Sequence, residues 1–238
     1  AGTLHCVPGL APVAAGRLLS IDVAALRAMP GVVRVFTAQD IPGRNDWGSI
    51  VHDDPILCDG DIRYLGQPVF AVVAETREQA RRTAAMAKMV LQVEAATPVL
   101  TPREAHARGQ YVVPPMHLTR SHSGLDEAGI RARIAAAPHR LQGSLDVGGQ
   151  EQFYLEGQIS YAIPKEAGGM HVHCSTQHPS EMQHLVAHAL GVHAHAVQVE
   201  CRRMGGGFGG KESQSGLFAC MASVAARLLQ RPVKLRVD

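Results

Sequence analysis

Short apolar runs rich in β-branched residues alternate along this chain with stretches whose apolar positions recur every three or four residues. Residues 32–36 and 69–74 are of the first kind, bounded by Pro and Gly, and predict strands. Residues 77–88 carry the helical period, and Thr76 with Gln79 forms a capping box at their start. A strand is expected over 89–93. Thr101 with Glu104 repeats the capping signal, with Pro102 at the first helical position. Residues 107–124 mix Pro, Ser, Gly and His without a period and predict a linker. A short helix from Leu125 should lead to strands over 140–147, 158–163 and 170–175, then a helix from Pro179, a strand over 197–201, a helix over 217–229 and a final strand from Val233. No internal repeat or low-complexity tract interrupts this alternation, which predicts an α+β or mixed α/β fold.

Composition narrows the class. At 238 residues and 46% hydrophobic, the chain can bury one large core or two small ones. Its 23 basic and 21 acidic residues are interspersed, so a net charge of +2 argues against a nucleic-acid surface. Cys6, Cys58, Cys174, Cys201 and Cys220 show no C-x-x-C spacing, which favours a reducing compartment over a disulfide framework. No apolar run approaches the roughly 20 residues of a membrane span, and no leader pattern opens the chain, so a cytoplasmic location is expected.

Candidate chemistry concentrates in Met204-Gly205-Gly206-Gly207-Phe208-Gly209-Gly210-Lys211-Glu212, where five of six consecutive positions are glycine. Such a run between a strand and a helix fits a backbone loop that approaches an anionic ligand, and its regular flanks set a flexible linker aside. Gly205, Gly207 and Gly210 match a dinucleotide fingerprint, although Asp238, the acid on the following strand, lies 28 residues past Gly210 instead of roughly 20. A phosphate loop is excluded because Glu212 replaces the hydroxyl that must reach magnesium. No G-x-S-x-G supports hydrolysis. Glu181, His184 and His188 share one helix face and imitate part of a metal site, but Met182, Leu185, Val186 and Ala189 on the other face make an amphipathic helix the simpler reading. His171 and His173 alternate on one strand face, where a solvated or interface surface is expected.

Three blocks in order, Gly148 to Glu156 (GGQEQFYLE), Ser175 to Ser180 (STQHPS) and Arg202 through Glu212, resemble the molybdenum-cofactor subunit of the xanthine dehydrogenase and aldehyde oxidase family. Residues 29–38, 64–69 and 71–76 resemble that family's small hammerhead domain. The resemblance implies a hammerhead α/β domain over 1–100, a linker over 101–140, and the first part of a molybdopterin-binding α/β domain over 141–238. It implies a molybdopterin cofactor held by Gln177, Gly207, Phe208, Gly209 and Gly210, with Gln177 and Phe208 in the molybdenum environment. Residue chemistry alone leaves Gln177 equally able to cap the helix at Pro179, Phe208 able to plug the loop, and Glu212 able to complement a helix N-terminus. By resemblance Glu212 faces a purine, so the implied reaction is oxidation of hypoxanthine and xanthine to uric acid, with electrons passed to Fe-S and FAD centres on a partner chain or missing segment. The family's general base has no counterpart in these residues, so the chain by itself is expected to be truncated, inactive and prone to oligomerise through uncovered surface. A non-catalytic binding module and a nicotinamide-binding βαβ enzyme are the remaining alternatives.

Overall fold

The computed structural model describes residues 2–116 and 124–237. Asp238 and part of the expected linker, residues 117–123, lie outside the described residues. The strands are β1 (Leu4–Leu10), β2 (Gly16–Ile21), β3 (Val32–Phe36), β4 (Asp61–Ile62), β5 (Pro68–Ala74), β6 (Leu91–Ala95), β7 (Ile159–Pro164), β8 (Met170–Cys174), β9 (Val197–Glu200) and β10 (Val233–Arg236). The helices are α1 (Val23–Arg27), α2 (Arg77–Ala84), α3 (Ala87–Val90), α4 (Pro102–Ala107), α5 (Glu127–Ala136), α6 (Pro179–Leu190) and α7 (Ser215–Leu229).

Residues 1–98 and 152–238 make one compact unit, and 99–151 make a second. In the first, seven strands form a mixed sheet in the order β3-β5-β1-β10-β7-β8-β9, and β4-β2-β6 form a smaller antiparallel sheet. β5, paired on both sides, is buried along its whole length, which explains its unbroken apolar sequence. β1 joins the two halves of the large sheet, antiparallel to β5 and parallel to β10 through Leu4, His5 and Cys6. Its Pro8 lies past that parallel pairing, where β1 has a ladder partner on one side only, a position that tolerates a missing N–H.

One core cluster joins the inner face of β7, β8 and β10 to α6 and α7, while another packs α1, α2 and α3 against β5. α7 is buried on nearly every side from Ser215 to Ala226, as expected of an apolar helix clamped between a sheet and a second helix. The carbonyls that end α6 are met by a distant segment: Gly43 and Arg44 N–H donate to Ala189 O and His188 O, both at 2.9 Å. The second unit holds α4 and α5. The strand expected over 140–147 is not formed: Leu141, Leu145 and Val147 stand exposed, and no strand among the described residues pairs with them.

β9, the glycine run, α7 and β10 are consecutive, yet β8 and β7 lie between β9 and β10 in the sheet. A dinucleotide-binding βαβ unit places its two strands side by side, so that reading is not supported by the topology. No described helix is long and apolar enough to cross a membrane. The described cysteines are all free thiols, and burial pushes Cys6, Cys174 and Cys220 up, away from nucleophile chemistry.

At Gly216 α7 packs tightly on α6, since a Cβ there would sit 2.6 Å from Leu185 Cδ1. Gly216→Val is expected to lower unfolding free energy by about 2 kcal/mol through overpacking. Urea titration checks this, and an unchanged midpoint would contradict the described packing.

Candidate functional site

The glycine run fills the connection from the end of β9 to the start of α7. Gly210 N–H donates to Gly207 O at 2.7 Å, closing a turn whose central residues, Phe208 and Gly209, have φ of +50° and +89°. Positive φ at both positions is the type I′ signature, unusual for an aromatic residue and easy for glycine. Phe208 is 77% exposed, so its ring does not plug the loop, and what the turn fixes is its backbone. Gly207 is glycine because a Cβ would come within 2.4 Å of Gln177 Oε1.

Gln177 clasps this turn. It lies three residues past β8, and its Oε1 accepts from Gly209 N–H at 3.0 Å and Lys211 N–H at 3.3 Å, while its backbone N–H donates to Lys211 O at 2.8 Å. It does not cap α6, whose N-cap is His178 without a side-chain bond. With Oε1 committed to the loop, Nε2 is left at an exposed position with no acceptor among the described residues. From Gly205 to Lys211, the amides of Gly206, Gly207 and Phe208 likewise have no partner among the described residues.

Lys211 anchors the loop from behind. Its side chain is fully buried, with Nζ 3.2 Å from Glu156 Oε2, donating to Ser175 Oγ at 2.9 Å, and 4.6 Å from the Tyr154 ring centroid. Glu156 Oε2 also accepts from Ser175 Oγ at 2.9 Å and from Gly205 N–H at 2.5 Å. Burial pushes the Glu156 carboxyl up, but Gly205 N–H, the Ser175 hydroxyl and the Lys211 ammonium together hold it below its ordinary 4.5. Gln158 Nε2 donates to Gly210 O at 3.0 Å, and the Thr176 and Ser215 hydroxyls donate to Lys211 O, each at 3.1 Å. Tyr154, Glu156 and Gln158 received no individual role from the sequence. Their alternate spacing on the extended approach to β7, facing a lysine inside a glycine run, was the available signal.

Glu212 is exposed and has no hydrogen bond or ion pair among the described residues. Nor does it serve a helix terminus, since α7 has Gln214 at its N-cap and no acid in its first turn. His184 and His188 are exposed on α6, and no metal-ligand grouping among the described residues includes them. Arg202 pairs with Glu200.

Residues 113–238 match the family model for the molybdopterin cofactor-binding domain, and residues 1–95 match that for the aldehyde oxidase and xanthine dehydrogenase a/b hammerhead domain. This chain belongs to the aldehyde oxidase and xanthine dehydrogenase family. Its curated relatives include xanthine dehydrogenase of Oryza sativa subsp. japonica, 35% identical over 99% of this chain and 17% of that protein. The xanthine dehydrogenase/oxidase of Gallus gallus is 34% identical over 93% of this chain and 16% of its own length. The chain therefore spans about one sixth of the curated relatives it matches. Among solved structures, quinoline 2-oxidoreductase from Pseudomonas putida 86 superposes with a TM-score of 0.78 at 26% identity, covering 100% of this chain and 31% of that one. Aldehyde oxidoreductase from Desulfovibrio gigas gives 0.80 at 24% identity over 100% and 27%, a likeness of fold.

A folded-state carboxyl held below its ordinary value contributes stability that is complete above that value and is lost as pH falls through the folded pKa. Glu156→Gln is therefore expected to destabilise most at neutral pH, with the gap to the parent closing under acid; a pH-independent gap would contradict the ion pair. Lys211→Met should cost about 3 kcal/mol by leaving Glu156 without its cation. Thermal melts across pH measure both.

Proposed function

We propose that this chain is the molybdenum-cofactor-binding portion of a xanthine dehydrogenase-type hydroxylase that oxidises hypoxanthine and xanthine to uric acid. The observation that carries the proposal is the clasp by Gln177, which spends its carbonyl on the glycine turn and keeps a neutral amide donor for a ligand. Residues 1–100 are proposed as the hammerhead domain, 101–140 as the linker and 141–238 as cofactor domain, with the two family-model matches in support.

The described residues fit an anionic metallopterin. Gly209 faces open space, where a Cβ would meet nothing within 4 Å, and the amides of Gly206 and Phe208 have no partner among the described residues and remain available as donors. Gln177, Gly207, Phe208, Gly209 and Gly210 would hold the cofactor, with Gln177 Nε2 donating toward the molybdenum environment without adding a titratable charge. When bound, the cofactor supplies oxygen transfer from water to an electron-poor carbon and takes up two electrons. Glu212, exposed and without a partner among the described residues, would accept purine N–H groups and stabilise charge developing on the ring. The described cysteines form no ligand cluster, so Fe-S and FAD centres are assigned to another segment or a partner subunit in an oligomeric assembly. Unpaired thiols support a reducing, cytoplasmic setting.

In the complete enzyme, Glu212→Ala is expected to cut xanthine turnover roughly 100-fold while molybdenum content stays at the parent level. Gln177→Ala should lower molybdenum content itself. Metal analysis beside uric acid assays measures both; equal loss of metal and turnover in Glu212→Ala would make that residue structural, and unchanged metal in Gln177→Ala would remove the clasp from cofactor binding.

A further inference from the structure

Strand register assembles a second group of ligand-type side chains on the sheet. β8 and β9 are parallel, with His171 opposite Gln198 and His173 opposite Glu200. His171 and His173 share one face of β8, while Met170, Val172 and Cys174 enter the core with α6 and α7 on the other. Glu200 Oε2 lies 3.2 Å from His171 Nε2 and 3.5 Å from His173 Nδ1, and the two imidazole centroids are 4.3 Å apart. The three ligand atoms all lie within 4.8 Å of one another, and this is the one such grouping among the described residues.

These distances resemble coordination edges. Metal–ligand bonds of about 2.0–2.2 Å place neighbouring donors of a tetrahedral centre about 3.3–3.6 Å apart; the Glu200–His173 pair at 3.5 Å falls in that range, and the hydrogen-bonded Glu200–His171 pair at 3.2 Å lies just below it. Side-chain exposures of 14% for His171, 37% for His173 and 26% for Glu200 leave the group enclosed on the sheet side and open on the other. A pocket of ≈ 510 Å³, lined in part by His173, Glu200, Tyr161 and Arg202, adjoins that open side. Tyr161 stacks on His173 with centroids 6.0 Å apart, limiting the ring's freedom. Arg202 holds the other carboxylate oxygen, Oε1, and competes with an ion for the charge of Glu200. Two imidazoles with one carboxylate suit zinc, cobalt, nickel or copper rather than magnesium or calcium, whose sites are built from oxygen.

We propose that His171, His173 and Glu200 form a binding site for one divalent transition ion of the zinc class, with water completing its coordination. The three ligands are none of the glycine-loop residues, although the adjoining pocket is also lined by Glu156 and Ser175, and the site holds whether or not the loop binds molybdopterin.

Cobalt(II) titration of the metal-stripped 238-residue chain, followed by visible absorption and by zinc(II) competition, tests this. One equivalent is expected to bind with the intense bands of four-coordinate cobalt. His171→Ala, His173→Ala and Glu200→Gln should each weaken binding at least roughly tenfold, and His184→Ala with His188→Ala should not. Arg202→Gln, at an exposed position, should tighten binding by releasing Glu200, which gives a reading even where an alanine variant fails to fold. Absence of a stoichiometric ion in the folded parent, unaltered affinity in folded His171 and His173 variants, or no gain from Arg202→Gln would each overturn the proposal.

Discussion

The Lys211 ammonium is buried completely, and the loop's geometry follows from satisfying it. An ion removed from water carries a penalty of several kcal/mol that only close, well-directed partners offset. Here they are the Glu156 carboxylate, the Ser175 hydroxyl and the face of Tyr154, contributed by the approach to β7 and the end of β8. The partners come from the chain leading into β7 and from the residue just after β8, so the lysine ties a chain segment with few side chains of its own to the strands of the large sheet. The same carboxylate oxygen reaches Gly205 N–H, which fixes the entry of the loop as Lys211 fixes its exit.

Once both ends are held, Gln177 sets the turn between them. Its carbonyl takes the Gly209 and Lys211 amides, and the Gly210 and Lys211 carbonyls are met by Gln158, Thr176 and Ser215. These amides and carbonyls are thereby satisfied. The amides of Gly206, Gly207 and Phe208, the Gln177 amide and the Glu212 carboxylate are left without partners among the described residues. This division is the physical basis for reading the loop as a preorganised binding surface: ordering is complete before a ligand arrives, so less of the interaction energy is spent on it.

Regular elements with strong local signals were legible in the sequence. β3 was readable to the residue, β5 to within one, and the Thr76–Gln79 capping box has both reciprocal bonds. β1 was hidden because Pro8 and Gly9 argue locally against a strand; Gly9 is required by the Phe70 ring, 2.1 Å from where its Cβ would stand. The helix expected over 77–88 divides near Met86 without Pro or Gly to mark the break, and the strand after it starts at Leu91 rather than 89. Residues 140–147 show the converse, an alternating pattern with no partner strand. At the site, the glycine loop and Gln177 were legible as motifs, whereas the anchoring by Tyr154, Glu156 and Gln158 depends on packing across more than fifty residues. Glu200 joins His171 and His173 only through cross-strand register, which no local pattern encodes.

Amide hydrogen exchange across residues 205–211, resolved by NMR, tests most directly whether the glycine loop is held in one shape by this network. Slow exchange at Gly205, Gly209 and Lys211 beside fast exchange at Gly206 and Phe208 is the predicted pattern. Uniformly fast exchange across all seven amides would describe a flexible tether and contradict the account.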